Sequence, residues 1–181
     1  MKNAGNLTSE DLTEFFAYIA ELKQLKRKGW VERGVRCPES VAAHSFGVAA
    51  LAAIAASVIG VDPARAVLIA IIHDIAEALT GDLTPADGVS LHEKHQQEEQ
   101  AARKILGKID QDGTLMDAWL DYTERRTPEG RLVKDIDILD MALQADIYSK
   151  AGTVAASELR RAAEPRIQSP ALRALLGPRR C

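Results

Sequence analysis

The sequence is poor in aromatic residues and in cysteine. Only eight of its 181 residues are aromatic, whereas 29 are alanine. Because alanine is the best helix former and aromatic residues favour strands, this bias favours helices. The two cysteines, Cys37 and Cys181, are too few and too far apart for a disulfide framework or a Cys-x-x-Cys metal site. Such sparse cysteine is typical of a protein from a reducing compartment.

Long apolar runs are also missing. The longest uncharged stretch, residues 45–61, has 17 residues, fewer than the roughly 20 that cross a membrane. We interpret it as a buried, alanine-rich helix. The opening residues MKNAGNLTSED lack the apolar segment of a secretory signal. We therefore expect a cytoplasmic protein with no membrane partner.

The chain has no excess of positive charge. Its net charge is −3 and its pI is about 5.8, which argues against a protein that binds nucleic acid duplexes. The charge is uneven, however, because residues 22–36 contain one acid and six basic side chains: Lys23, Lys26, Arg27, Lys28, Arg33 and Arg36. Such a cluster can bind a small anion such as a phosphate ester, or it can be the solvated end of a helix.

Capping residues and helix breakers place the secondary structure. Thr8 or Ser9 can cap a first helix that ends at Gly29, and a basic, irregular loop follows from Trp30 to Pro38. Further helices are predicted over residues 40–59, 63–79, 90–106, 114–126 and 128–150, with one or two short helices after them. No segment alternates apolar and polar residues as a strand would. We predict an all-α, single-domain fold of about seven helices, with an extension over 1–11, a core domain over 12–150 and a helical tail over 151–181.

Several common catalytic motifs are absent. The sequence has no G-x-x-x-x-G-K-[ST], no G-x-G-x-x-G after a strand and no G-x-S-x-G. What it does have is His73 and Asp74 directly after five apolar residues, with Glu77 one turn later. Burying an ionised carboxylate is costly unless it is paired or bound to a metal. Asp74 therefore either bonds to another helix or binds a metal with His73.

Two other positions favour the metal. His44 opens the uncharged helix, and Asp137 lies on the apolar stripe of its own helix, although Asp135 and Asp140 compete with it. Taken alone, each is more often structural. Together, two imidazoles and two carboxylates form a set that suits Mn, Co, Fe, Ni or Zn better than calcium.

The order His, His-Asp and a distant Asp resembles the HD-domain metal-dependent phosphohydrolases. A longer set of residues is similar to one branch, the HD-domain 5′-deoxynucleotidases, over roughly residues 12–150. That set comprises Trp30, Pro38-Glu39-Ser40-Val41, His44, His73-Asp74-x-x-Glu77, Thr80-Gly81-Asp82, Pro85-Ala86-Asp87, Glu93-Lys94-His95 and Val133-Lys134-x-x-Asp137.

The resemblance implies a helical bundle with a metal site between its helices, and a homodimer. It implies hydrolysis of 2′-deoxyribonucleoside 5′-monophosphates with one divalent ion, Co or Mn, or another of Mg, Fe, Ni and Zn. Glu77 matches the catalytic acid or base, Asp82 a second carboxylate near the attacking water, and Trp30 the ring that packs against the sugar and excludes a 2′-hydroxyl. The implied metal ligands are His44, His73, Asp74 and Asp137.

One departure from the family concerns the residue before the tryptophan. In one bacterial branch an arginine stands there, whereas this chain has Gly29. The role of that arginine would pass to Lys28, Arg33 or Arg36. Lys94 is a further candidate for a phosphate contact.

Other activities stay open at this point. Another HD phosphohydrolase could act on nucleoside triphosphates or cyclic nucleotides, and a non-catalytic helical module could keep a structural metal. Glu77 and Asp82 favour an enzyme, because a purely structural site needs neither. His95 with Glu98 or Glu99 could bind a second metal, but the polar pattern around it favours a solvated helix face.

Overall fold

In the computed structural model of the protein, which describes residues 7–177, short turns join a series of helices. The all-α prediction is confirmed. The helices are α1 (Ser9–Gln24), α2 (Lys28–Glu32), α3 (Val41–Ile59), α4 (Pro63–Ile72), α5 (Glu77–Thr80), α6 (Leu91–Leu106), α7 (Thr114–Glu124), α8 (Pro128–Lys150), α9 (Ser157–Ala163) and α10 (Pro170–Ala174). Three single turns of 3₁₀ helix lie at Pro85–Asp87, Val154–Ala156 and Glu164–Arg166.

Helices α3, α4 and α8 form the centre of the bundle, and each begins at a side-chain cap. Ser40 accepts the backbone N–H of Ala43 at the start of α3, and Asp62 accepts two backbone N–H groups at the start of α4. Thr127 caps α8 in the same way. These caps satisfy N–H groups that have no partner within the helix, so the three predicted starts are confirmed.

Helix α1 ends earlier than the sequence predicts, at Gln24 instead of Gly29. Leu25 is extended, and its carbonyl accepts the N–H of Val41, while the N–H of Arg27 donates to Glu39. This antiparallel bridge overrides the good helix propensity of the segment. Trp30 consequently lies in the short helix α2 and not in an irregular loop.

The predicted helix over residues 63–79 is interrupted between α4 and α5. Backbone bonds there join each N–H to the carbonyl three residues earlier, as in Ile75 to Ile72 and Glu77 to Asp74. His73 Nδ1 lies 2.6 Å from the Ala70 carbonyl, the group that an α-helix would offer to Asp74. The tighter turn brings His73, Asp74 and Glu77 to one side of the bundle.

Helix α3 is buried on one face only. Val48, Ala52 and Ala56 are buried in the core, but Phe46, Ile54 and Val58 are 73, 68 and 82% exposed. The prediction of a buried helix therefore holds for half of its circumference. Among residues 7–177, α3 alone is long and apolar enough to cross a membrane by length and composition.

The chain after α8 packs onto the same core. Ile167, Leu172 and Leu176 are buried beside residues of α3 and α8. The backbone N–H groups of Gln168 and Ser169 donate to the buried carboxylate of Asp135 at 3.1 and 2.7 Å. Cys181 lies outside the described residues.

Candidate metal centre and active site

Three segments bring four of the predicted site residues together. His44 comes from the first turn of α3, His73 and Asp74 from the end of α4, and Asp137 from α8. One donor atom each of His44, His73 and Asp74 lies within 4.8 Å of the others. Asp137 joins through His44, whose Nε2 is 3.1 Å from Asp137 Oδ1 and 3.8 Å from Asp74 Oδ2. The four residues that the sequence predicts to share a site therefore lie close together in the structure.

Two atoms of this cluster have no hydrogen-bond partner although both are buried. They are His73 Nε2 and Asp74 Oδ2, which lie 3.0 Å apart but not in hydrogen-bond geometry. His73 Nδ1 faces the Ala70 carbonyl, so the proton is on Nδ1 and the lone pair of Nε2 points into the cluster. A buried carboxylate oxygen and a buried imidazole lone pair that converge without hydrogen bonds are costly, and a divalent cation satisfies both. The residues present fit a metal ion with mixed nitrogen and oxygen ligands.

Charge is concentrated around the cluster. Burial and the nearby Arg27 lower the pKa of His44, but its hydrogen bonds with Asp137 and Asp140 outweigh them and raise the pKa to about 9. Burial opposes ionisation of Asp74, whereas His73 and Arg27 lower its pKa below the usual range. Burial opposes ionisation of Asp137 as well, but its hydrogen bond with His44 and the charge of Lys134 lower its pKa well below the usual range. The ionised form, which metal binding requires, is therefore favoured for both carboxylates.

Glu77, the predicted acid or base, is buried at the first position of α5 beside the cluster. Its Oε2 has no hydrogen-bond partner, and the residue is 5% exposed. Burial raises the pKa of the Glu77 carboxyl well above its usual range, and the negative charges of Asp74 and Asp82 raise it further. Such surroundings favour the protonated form of the carboxyl, the form that can donate a proton.

The arginine that faces the site is Arg27, which the sequence analysis did not single out. Its Nη1 lies 3.6 Å from Asp74 Oδ2 and 3.7 Å from Asp82 Oδ1, and its side chain is 16% exposed. Asp82 also accepts the backbone N–H of Lys28 at 2.7 Å. Of the residues proposed for this role, Arg36 is exposed and the ammonium group of Lys28 pairs with Asp87. The sequence marked Arg27 only as one of six basic residues in 22–36, and the bridge between α1 and α3 is what places it at the site.

A cavity of about 730 Å³ opens beside the cluster. Its lining includes Trp30, Arg33, Lys94, Glu77 and Asp82, so the predicted substrate contacts do share one wall with the predicted catalytic residues. Arg33 donates to the Gly29 carbonyl at 2.9 Å, and Lys94 donates to the Leu83 carbonyl at 2.7 Å.

His95 also lines this cavity, where its ring stacks on Trp119 with the ring centres 6.0 Å apart. The side chain of His95 is nevertheless 42% exposed and His92 is exposed too, which agrees with the predicted solvated helix face. The polar composition of α6 concealed that one of its faces lines a cavity.

Trp30 serves as a core residue as well as a cavity wall. It is 2% exposed, its ring packs edge-on against Tyr148 at 5.1 Å, and its Nε1 donates to Glu39 Oε1 at 2.9 Å. Val35 and Ala145 are buried against it. Trp30 thus packs in the core and also lines the cavity.

Two further residues hold Asp137: Lys134, which the sequence analysis named only as part of a motif, and Tyr122, which it did not name. The hydroxyl of Tyr122 donates to Asp137 Oδ2 at 2.6 Å, and Lys134 Nζ lies 3.9 Å from the same oxygen. Lys134 also sits over the Tyr122 ring, 3.8 Å from its centre. Burial lowers the pKa of this lysine. An aromatic residue on an amphipathic helix looks like core in the sequence, so no signal marked Tyr122.

The chain is similar to known proteins in sequence and in fold. The 5′-deoxynucleotidase HDDC2 of Danio rerio is 36% identical over 144 residues, which cover 78% of this chain and 71% of that protein. The structure of the PH0347 protein from Pyrococcus horikoshii OT3 superimposes with a TM-score of 0.75 at 32% identity, covering 91% of this chain and 92% of that one. A predicted metal-dependent phosphohydrolase from Magnetospirillum magnetotacticum MS-1 gives 0.70 at 25% identity, covering 92% and 90%.

The sequence pattern of a whole family extends over nearly all of the described chain. The HD domain family matches residues 19–174, a range that begins within α1 and reaches the last residue of α10. It includes His44 of α3, His73 directly after α4 and Asp137 of α8, which meet at the cluster. The chain therefore belongs to the HD domain family.

Proposed function

We propose that this protein hydrolyses 2′-deoxyribonucleoside 5′-monophosphates to a deoxynucleoside and phosphate. One observation carries the proposal: the unpartnered donor atoms of His73 and Asp74 converge beside the buried carboxyl of Glu77 at the wall of a ligand-sized cavity. The name of the Danio rerio relative, a 5′-deoxynucleotidase, supports the choice of substrate.

In this proposal His44, His73, Asp74 and Asp137 are the ligands of one divalent metal ion. When bound, such an ion supplies positive charge to a phosphate oxygen and lowers the pKa of water. Mixed nitrogen and oxygen ligands support Co or Mn, with Fe, Ni, Zn and Mg as the other candidates.

The cations of the cavity are suited to a phosphate dianion. Arg27 is held by Asp74 and Asp82 with its guanidinium largely buried, and Lys94, Lys134 and Arg33 line the same space. A buried guanidinium binds phosphate oxygens through parallel N–H donors, and its charge counts more when water is excluded. We assign the phosphate to the part of the cavity that Arg27 and the metal cluster both line.

Glu77 supplies the proton of the reaction. Water attacks phosphorus, the bond between phosphorus and the 5′ oxygen breaks, and the Glu77 carboxyl protonates the departing oxygen. The products are the deoxynucleoside and inorganic phosphate, and Glu77 recovers its proton from the attacking water. Asp82 is the second carboxylate near that water, and its contacts with Arg27 and Lys28 fix its position.

A panel of substrates tests this function. Phosphate release is measured with dAMP, dCMP, dGMP and TMP, the matching ribonucleotides, dATP and a cyclic dinucleotide, each with and without Co²⁺ or Mn²⁺. We expect metal-dependent release from the deoxy monophosphates first. Hydrolysis confined to the triphosphate or the cyclic compound contradicts the substrate class, and metal binding without any hydrolysis indicates a non-catalytic module.

Trp30 provides a prediction about sugar choice. Its burial means that Trp30→Ala leaves a cavity, and we expect the free energy of unfolding to fall by about 3–5 kcal/mol. The effect of the ring on sugar preference is better tested with Trp30→Phe, because this variant keeps an aromatic residue in the core. A 2′-hydroxyl desolvated without a partner costs about 1–3 kcal/mol, so up to roughly 5- to 150-fold of the preference for dAMP over AMP should be lost.

The measurement is kcat/KM for dAMP and AMP with both forms of the protein, with thermal melts as the control for folding. An unchanged ratio in a stable Trp30→Phe protein would mean that the ring only packs and that selection lies elsewhere in the cavity.

A further inference from the structure

Asp140 contacts the back of His44, on the side away from the candidate metal cluster. Its Oδ2 lies 2.8 Å from His44 Nδ1, while Nε2 of the same ring faces Asp74 and Asp137. An ionised carboxylate can only accept a hydrogen bond, so Nδ1 carries the proton and donates it. Nε2 faces the carboxylate of Asp137 at 3.1 Å in the same way, so a metal ion has to displace the proton of Nε2, whereas Nδ1 keeps its own proton on Asp140.

Gly47 on α3 makes this contact possible. A Cβ at position 47 would lie 2.7 Å from Asp140 Oδ1, closer than any carbon atom can approach without displacement. Glycine inside a helix is destabilising relative to alanine, so its presence here has a cost to the fold. The carboxylate of Asp140 requires the space that a side chain at position 47 would fill, and this explains the glycine.

We infer that Asp140 is a positioning residue that holds the His44 ring in the tautomer required for metal binding, and that Gly47 leaves room for it. This inference rests on the proposed function, because it presupposes a metal ion at the cluster. Carboxylates that accept from the second nitrogen of a ligand histidine typically control affinity for the metal by about 10- to 100-fold.

Asp140 could instead be a ligand itself, since donor atoms of Glu39, His44 and Asp140 also lie within 4.8 Å of one another. The structure argues against this site. Glu39 already accepts the N–H of Trp30, and His44 Nδ1 already bonds to Asp140. The unpartnered buried atoms, His73 Nε2 and Asp74 Oδ2, belong to the cluster that Nε2 faces. The metal therefore belongs on the Nε2 side, and Asp140 acts through the ring.

The experiment measures Co²⁺ binding by calorimetry on protein stripped of metal with EDTA. We expect Asp140→Ala to weaken binding by about 10- to 100-fold, and Asp140→Asn, which keeps an acceptor oxygen, to weaken it less. Gly47→Ala should also weaken binding because it displaces the carboxylate. The thermal stability of metal-free Gly47→Ala should change little, since alanine is a better helix former than glycine. Asp146→Asn, on the same helix but paired with Arg160, is the control with unchanged affinity.

A second readout separates positioning from folding. The Co²⁺ concentration that half-saturates phosphate release should rise by the same factor as the dissociation constant, with kcat largely recovered at saturating Co²⁺. Equal affinity in the wild type, Gly47→Ala and Asp140→Asn would overturn the positioning role while leaving the proposed function intact. A wild type that binds no Co²⁺ would overturn both.

Discussion

Glu77→Gln is expected to lower the rate of phosphate release by about 10²- to 10⁴-fold, the usual loss for a missing general acid. The glutamine keeps the shape of the side chain but has no proton of suitable acidity to donate. Burial raises the pKa of the Glu77 carboxyl well above its usual range, which favours the protonated form that a general acid needs. Its unpartnered Oε2 leaves it free to reach the departing oxygen.

The Co²⁺ content of Glu77→Gln should equal that of the wild type, since none of the donor atoms that converge at the cluster belongs to Glu77. Rates are measured by phosphate release from dAMP and metal content by plasma emission. Glu124→Gln, an exposed glutamate that pairs with Arg126, is the matched control and should be unaffected. Loss of metal together with activity would make Glu77 a ligand and remove it from the role of acid.

Asp137→Asn should abolish both metal binding and hydrolysis. The substitution removes a negative charge that the structure places 3.1 Å from His44 Nε2 and that Tyr122 and Lys134 hold in position. Loss of a direct ligand should lower affinity for the metal more than loss of a carboxylate that only hydrogen-bonds to a ligand. We therefore expect affinity for Co²⁺ to fall by more than the roughly 10- to 100-fold typical of outer carboxylates, and activity to approach background.

Asp135→Asn is the informative comparison for Asp137. Asp135 is two residues away on α8, but its carboxylate accepts backbone N–H groups of Gln168 and Ser169. This variant should lose thermal stability because buried donors lose a charged acceptor, yet it should bind Co²⁺ normally. Full metal content in Asp137→Asn would exclude Asp137 as a ligand.

Local signals predicted the long helices well. The starts of α3, α4 and α8 depend on caps at Ser40, Asp62 and Thr127, which act within one turn and are readable in the sequence. The left-handed Gly60, with φ of 86°, ends α3 as predicted. The candidate metal ligands could also be recognised in the sequence, because a charged residue within an apolar segment needs a partner when it is buried.

Features that depend on contacts between residues far apart in the chain could not be predicted from the sequence. Helix α1 stops at Gln24 because residues 25–27 pair with residues near the start of α3, and that pairing is also what carries Arg27 to the site. The break after α4 contains neither glycine nor proline. It forms where the His73 ring occupies the carbonyl of Ala70, a choice between two partners that the sequence does not reveal.

The three aspartates of α8 show what a sequence pattern cannot distinguish. Asp135, Asp137 and Asp140 alternate along one helix, and the sequence favoured Asp137 only through the apolar stripe. In the structure each has a separate partner: the tail, the cluster and the back of His44. Their division of roles follows from helix geometry together with what each face of α8 contacts.

Titration of the metal-free enzyme tests the central claim most directly. Protein stripped with EDTA is supplied with Co²⁺ or Mn²⁺ in steps, and phosphate release from dAMP is measured together with bound metal at each step. The account predicts no activity at the start and a rise that levels off at one metal ion per chain. Full activity in the metal-free protein, or one bound ion with no release of phosphate from any deoxynucleotide, would contradict it.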